Sequence, residues 1–261
     1  MIAPKGFKQV GVLFDGKLTD ARALYYIEEQ TTLVSAADLG KLLNIPVQGL
    51  GDKINIGKVV VPPPKPLIGK KIAISAPHSR NANRSPVNPA YYEGNVMFYV
   101  ATELANMLKA QGANVLLVRD TLDTKLTLDQ RSDMINKWRA ELVLELHSDA
   151  SGTSTLRGIH CIRSIINKSA MPHLLIDEIH KSTGLPIRSY PGLSPIWTKV
   201  LPNNTRFDWF HMIREIQAPV FLLENGYHTN PQDVAFLASP AAPKLIATGA
   251  TNAVLKYYKA A

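Results

Sequence analysis

Four side chains have the types that could hold a hydrolytic metal ion and work beside it: His78, Glu93, His147 and Glu224. Two imidazoles and a carboxylate occupy three positions of a tetrahedral zinc ion and leave the fourth for water, and a second carboxylate nearby can serve as general base. Residue types alone allow one Zn²⁺ held by His78, His147 and one of the carboxylates Glu93 and Glu224, with the other as general base. Widely spaced His and Glu residues allow many such combinations, so the elements that carry them must show whether these four can meet.

Hydrophobic periodicity places all four at comparable points of an alternating fold. His78 follows a short apolar strand expected over 71–75, His147 one over 142–146, and Glu224 one over 220–223. Glu93 opens a helix expected over 93–111, with Val96, Val100, Leu104 and Leu108 on one stripe and Gly112 as its stop. Further strands are expected over 114–118 and 159–162, and further helices over 128–139, 174–182, 207–215 and 244–258. Such alternation predicts an α/β fold: a mixed, mostly parallel sheet flanked by helices on both faces. Ligands on these sheets bind beyond strand ends, where the four residues would converge.

This α/β region, 69–261, follows a different kind of sequence. Four prolines in the five residues 62–66 mark a stiff linker, taken as 61–68. Before it, 1–60 reads as a small α+β module with extended runs at 10–14 and 31–34 and a turn at Asp15-Gly16. A short helix is expected there too, with Ala37, Leu39, Leu42 and Leu43 on one face and Ser35 as its cap. The module contains none of the chain's seven histidines.

Composition excludes several classes. With 261 residues, 46% hydrophobic and 19% charged, the chain can bury a sizeable core, and no apolar run reaches the roughly 18 residues of a membrane span. A net charge of +8 suits a polyanionic partner, yet the basic residues form no run, finger or recognition-helix pattern, which argues against nucleic acid. The single cysteine, Cys161, rules out an internal disulfide and a multi-thiolate metal site, and its apolar setting at 158–162 suits a buried hydrophobe better than a nucleophile. The N-terminus lacks a basic segment followed by an apolar core, so no signal peptide is expected. A serine hydrolase is disfavoured because no Gly-x-Ser-x-Gly elbow occurs.

Taken together in order and spacing, the motifs of 70–258 resemble the zinc-dependent N-acetylmuramoyl-L-alanine amidases, the peptidoglycan amidase type 3 family. That family has a strand ending in a metal-binding His, then a metal-binding Glu starting a helix that ends in Gly. A strand with a following Arg comes next, then a Leu-x-x-Arg helix start, a strand ending in a second His, and a strand ending in a catalytic Glu. The matching elements are His78, Glu93 with Gly112, Val118-Arg119, Leu128-Asp129-Gln130-Arg131, Leu144-Glu145-Leu146-His147-Ser148 and the run from Leu223-Glu224-Asn225-Gly226-Tyr227 to Asn230. The resemblance implies hydrolysis of the amide between N-acetylmuramic acid and L-alanine. It also implies action on the bacterial cell wall, extracellularly or after phage release, as an endolysin or other autolysin. The partners would be peptidoglycan and, given the charge, anionic wall polymers. The 1–60 module loosely resembles small stalk-like domains of wall enzymes, which implies wall attachment or pairing.

Two departures stand out. The family's glycine-rich loop at the first His is replaced by Ser75-Ala76-Pro77-His78-Ser79-Arg80-Asn81, which adds side chains at the substrate entrance, and Ser148-Asp149 stands where a small residue and Asn are usual. An Asp there would raise ligand basicity or restrict acidic substrates. The altered loop is also the support for a rival reading, a non-catalytic wall-binding relative. Among other residues, His160 reads as a satisfied sheet histidine ahead of a group beside the site, and His173, His180 and His211 as surface or partly buried helical groups. His228 is a candidate site wall, and Arg131 an anchor of its helix start. Trp197, Trp209, Tyr190 and Tyr227 are core or groove aromatics.

Overall fold

The structure, a computed structural model, describes five strand segments in the first part of the chain and then residues 65–260. The chain divides into two compact units, Met1–Pro63 and Pro64–Ala261. In the first, β1 (Phe7–Phe14), β2 (Lys17–Tyr26) and β3 (Thr31–Val34) form an antiparallel sheet in that order, and β4 (Val47–Leu50) pairs antiparallel with β5 (Lys53–Ile56). The extended runs expected at 10–14 and 31–34 fall on β1 and β3. The turn at Asp15-Gly16 and the helix with Leu39 lie outside the described residues.

The second unit runs β6 (Lys71–Ser75), α1 (Glu93–Ala110), β7 (Asn114–Leu117), α2 (Leu128–Trp138), β8 (Leu142–Asp149) and β9 (Ile159–Arg163). It continues with α3 (Met171–Thr183), β10 (Ile196–Trp197), β11 (Val200–Leu201), β12 (Asn204–Asp208), α4 (His211–Glu215), β13 (Val220–Tyr227), α5 (Pro231–Leu237) and α6 (Ala242–Ala260). Six strands form one sheet in the order β10-β9-β13-β8-β6-β7. β7, β6, β8 and β13 are mutually parallel, whereas β9 runs antiparallel to β13. This is the expected mixed, mostly parallel α/β sheet.

Strand periodicity of two sorts the core into two layers. Ile72, Ile74, Leu142, Leu144, Leu146, Phe221, Leu223 and Cys161 pack against α1, α3 and α6, while Ala73, Val143, Val220, Leu222 and Ile162 pack against Ile135 of α2 and Met212 and Ile213 of α4. α3 and α6 approach closely at Gly249, where a Cβ would stand 2.6 Å from the Cα of Ile179. α2 starts in a capping box: the Thr127 hydroxyl accepts from the Gln130 N–H and the Gln130 side chain accepts from the Thr127 N–H. No helix of the described residues is long and apolar enough to cross a membrane.

Two expectations need correction. The helix expected over 207–215 is confined to His211–Glu215, because Phe207 and Asp208 complete β12, a hairpin strand paired with β11. The strands carrying His147 and Glu224 do not stop at those residues. β8 continues to Asp149 and β13 to Tyr227, where Tyr227 pairs with Asp149. The apolar run ends earlier than the hydrogen-bonded ladder because polar residues, Ser148 and Asp149 on β8 and Glu224 and Asn225 on β13, continue the strands.

Candidate active site

The site lies on the α2 and α4 face of the sheet, toward the C-terminal ends of the parallel strands β6, β8 and β13. Period-two alternation puts Glu145, His147 and Asp149 of β8 on that face, and Glu224 of β13 lies in register with His147. The same Glu224 is in register with His160 of β9 on its other side.

Glu93 arrives from the opposite layer as the first residue of α1. The chain from β6 passes over this helix start so tightly that a Cβ on Gly94 would lie 2.0 Å from the Ser79 carbonyl oxygen, so only glycine fits. Arg119, just past β7 and 3% exposed, donates to the carbonyls of His78 and Gly94, pinning the His78 loop to the helix. Burial pulls the Arg119 guanidinium down to about 10. Asn81 and Asn83 adopt left-handed φ values of 58° and 53°, and the Asn83 amide donates to Glu93 Oε2 at 2.7 Å.

These elements bring three expected residues together: one donor atom each from His78, Glu93 and His147 lies within 4.8 Å of the others. Glu93 Oε1 is 3.1 Å from His147 Nδ1 and 3.6 Å from His78 Nε2, and it accepts the Ser148 N–H at 3.1 Å. Burial alone would raise the Glu93 pKa, but hydrogen bonding and the charge of His147 bring it below the ordinary carboxylate range. His78 is the exposed member, at 34% of its side chain, so the cluster opens to solvent on its side. Glu224 is buried beside it with Oε2 lacking any hydrogen-bond partner, and burial pushes its pKa well up.

Charge tests whether a divalent cation fits. Glu93, Glu145 and Glu224 are all buried, the Arg131 guanidinium returns one positive charge, and Asp149 and Arg188 act on Glu224 in opposite directions. Negative charge therefore exceeds positive charge in the cluster, and a divalent metal on the convergent His₂Glu donor set would offset it.

Sequence reasoning missed Glu145. It is 1% exposed, and its Oε1 accepts from Arg131 Nη1 at 2.6 Å while lying 3.6 Å from His147 Nε2. A charge inside the run Leu142-Val143-Leu144-Glu145-Leu146, on the face of His147, was its signal. Arg131 is thus an anchor to an acidic group. Of the departures, Arg80 turns to Asp123, with N–O distances of 2.5 and 2.9 Å. Asp149 is engaged by His160 at 2.9 Å. His228 is buried, with Nδ1 3.0 Å from Ser148 Oγ, and stacks on Tyr91 with ring centroids 6.0 Å apart. Tyr227 is core, whereas Trp209 and Tyr190 are exposed.

Fold and site meet in one family. Residues 72–256 match the profile of the N-acetylmuramoyl-L-alanine amidase family, and the chain belongs to it. It is 28% identical over 194 residues to the N-acetylmuramoyl-L-alanine amidase CwlM of Bacillus licheniformis, a match covering 72% of this chain and 68% of that protein. It is 24% identical over 197 residues to the probable cell wall amidase LytH of Staphylococcus aureus, covering 75% of this chain and 60% of LytH. The chain thus spans about three fifths to two thirds of these relatives. In fold it is similar to the catalytic domain of the N-acetylmuramoyl-L-alanine amidase CwlV from Bacillus (Paenibacillus) polymyxa var. colistinus, with a TM-score of 0.62 at 24% identity, covering 73% of this chain and 98% of that one.

Proposed function

We propose that this chain hydrolyses the amide between the lactyl group of N-acetylmuramic acid and L-alanine in peptidoglycan, with one zinc ion held by His78, Glu93 and His147 and with Glu224 as the catalytic group. The observation that carries the reading is the convergence of three donor atoms beside a buried carboxylate with a free oxygen. Zinc in that set would polarise the amide carbonyl and make the attacking water more acidic.

Glu224 then takes a proton from water as its oxygen adds to the lactyl carbonyl carbon, and passes that proton to the alanine nitrogen as the C–N bond breaks. The products are a glycan strand with free lactyl carboxylates and a stem peptide with a free L-alanine amine. Burial suits Glu224 to both transfers, because a carboxylate with a raised pKa is a better base and its acid form persists nearer neutral pH. Arg119 and Gly94 keep His78 on the helix that presents Glu93. The activity would degrade the wall as an autolysin or a phage-released endolysin, with 61–68 as linker and the 1–60 module attaching to wall or pairing chains.

Metal content by elemental analysis, with release of L-alanine amino groups from peptidoglycan, tests this on the wild type and Glu224→Gln. One zinc per chain in both and release from the wild type alone is the expected result. A wild type without zinc or release in zinc-supplemented buffer overturns it in favour of a wall-binding relative.

A further inference from the structure

The geometry points to Glu145 as a positioning residue for zinc, acting through His147; the inference rests on His147 being a ligand as proposed above. β8 is buried through its first five residues, and Glu145 is the charged residue among them. Burying a carboxylate is costly unless partners compensate. Arg131 is one: its Nη1 lies 2.6 Å from Glu145 Oε1 and 3.4 Å from the hydroxyl of Ser75, the residue in register with Glu145 on β6. That pair ties the first turn of α2 to the sheet, and it leaves Glu145 Oε2 without a partner.

The second neighbour of the carboxylate is His147. Its two ring nitrogens point to two different carboxylates: Nδ1 is 3.1 Å from Glu93 Oε1, within the convergent cluster, and Nε2 is 3.6 Å from Glu145 Oε1. A neutral imidazole has one N–H and one lone pair. With Nδ1 giving its lone pair to zinc, the proton resides on Nε2 and faces Glu145. A carboxylate behind a ligating histidine fixes the tautomer, orients the ring and strengthens it as a donor. Arg131 holds that carboxylate in place through a helix start whose own geometry is set by its capping box.

A purely structural Glu145 would serve Arg131 alone, and the two roles separate on measurement. Glu145→Gln keeps the shape and an oxygen acceptor for Arg131 but removes the charge behind His147. Zinc affinity by chelator competition, melting of the metal-free protein and the nitrogen-15 tautomer pattern of His147 in the zinc-loaded wild type form the test. The expected result is an affinity loss of about 10- to 100-fold in folded Glu145→Gln, with His147 carrying its proton on Nε2. Lowered melting with zinc affinity unchanged within about twofold overturns the role. So does a wild-type His147 protonated on Nδ1, a reading that needs no variant to fold. A wild type that binds no zinc overturns the metal site itself, and this inference with it.

Discussion

Two histidines flank Glu224 on neighbouring strands, in register with it and on the same face, and their surroundings are opposite. His160 is 0% exposed, and both its nitrogens are taken. The Trp197 indole N–H, which can only donate, reaches Nδ1 at 3.1 Å, so that nitrogen is unprotonated; Nε2 carries the proton and faces Asp149 Oδ2 at 2.9 Å. Tyr227 OH lies 3.1 Å from the same Nε2 and is held by Arg188. Burial lowers the His160 pKa, against the pull of Asp149, so the ring stays neutral. His147 has carboxylates at both nitrogens. Burial would lower its pKa too, yet the carboxylates of Glu145 and Glu93 beside its two nitrogens raise it well above the ordinary value. A ring that gathers a proton because carboxylates demand positive charge is one where a metal can take the proton's place. A ring locked between an indole and a carboxylate is part of the framework.

The widest separation between the two should come from truncation. His147→Ala is expected to leave no stoichiometric zinc and no measurable amino-group release. His160→Ala is expected to keep one zinc per chain while losing about 2–4 kcal/mol of stability, because the Trp197 N–H and the Asp149 carboxylate lose their buried partner. Elemental analysis and denaturant unfolding of both variants check this, and zinc loss from a folded His160→Ala would erase the contrast. Next in size is Glu224→Gln, the residue between them, with turnover down about 10²- to 10⁴-fold and zinc retained. Gly94→Ala should follow: the displaced Ser79 carbonyl drags His78 from the cluster, so zinc affinity falls while the sheet around His160 holds, as read by chelator competition and by near-ultraviolet circular dichroism of Trp197.

Smaller still is Asp149→Asn, which restores the residue expected at that position. An amide oxygen can accept from His160 Nε2, so the tautomer persists, while the amide nitrogen gives up the bond from the Ala150 N–H, and the loss of that bond and of a charged acceptor is about 1–3 kcal/mol. Zinc stoichiometry should not change. A large drop in zinc affinity would instead show that Asp149 acts on the metal site, as its sequence position suggests, and not on His160.

What could be read from the sequence follows a physical divide. The succession of elements rests on apolar runs such as Lys71–Ser75 and on stops such as Gly112, whose φ of 93° is the left-handed value such a stop uses, and both are local signals. His78, His147 and Glu224 could be singled out because each follows a short apolar run, and Glu93 because it opens a long periodic helix. Their true placement was not legible, since β8 and β13 extend past the apolar residues and set His147 and Glu224 side by side within the ladder. Arg119 and Arg131 find their partners 14 to 41 residues away, through carbonyls and a carboxylate that no periodicity marks. The segment at Phe207 misled because β12 is an exposed hairpin strand, with no buried face to impose a period.

Cys161 tests the same alternation at its finest scale. It adjoins His160 on β9, so the period of two turns it to the opposite face, in register with Leu223 and 0% exposed in the core beneath α1, α3 and α6. Burial pushes the thiol far above its ordinary pKa, which leaves no thiolate to act as nucleophile or ligand. Cys161→Ala should therefore cost about 1 kcal/mol through the small cavity it leaves, with zinc content and amino-group release at wild-type levels, and the native thiol should resist alkylation until the protein unfolds. Loss of turnover from a folded Cys161→Ala would mean that the two faces of β9 are mechanically joined. The neutral, locked His160 would then be the element that transmits the change to Glu224, and the division between framework and active histidine would have to be redrawn at that strand.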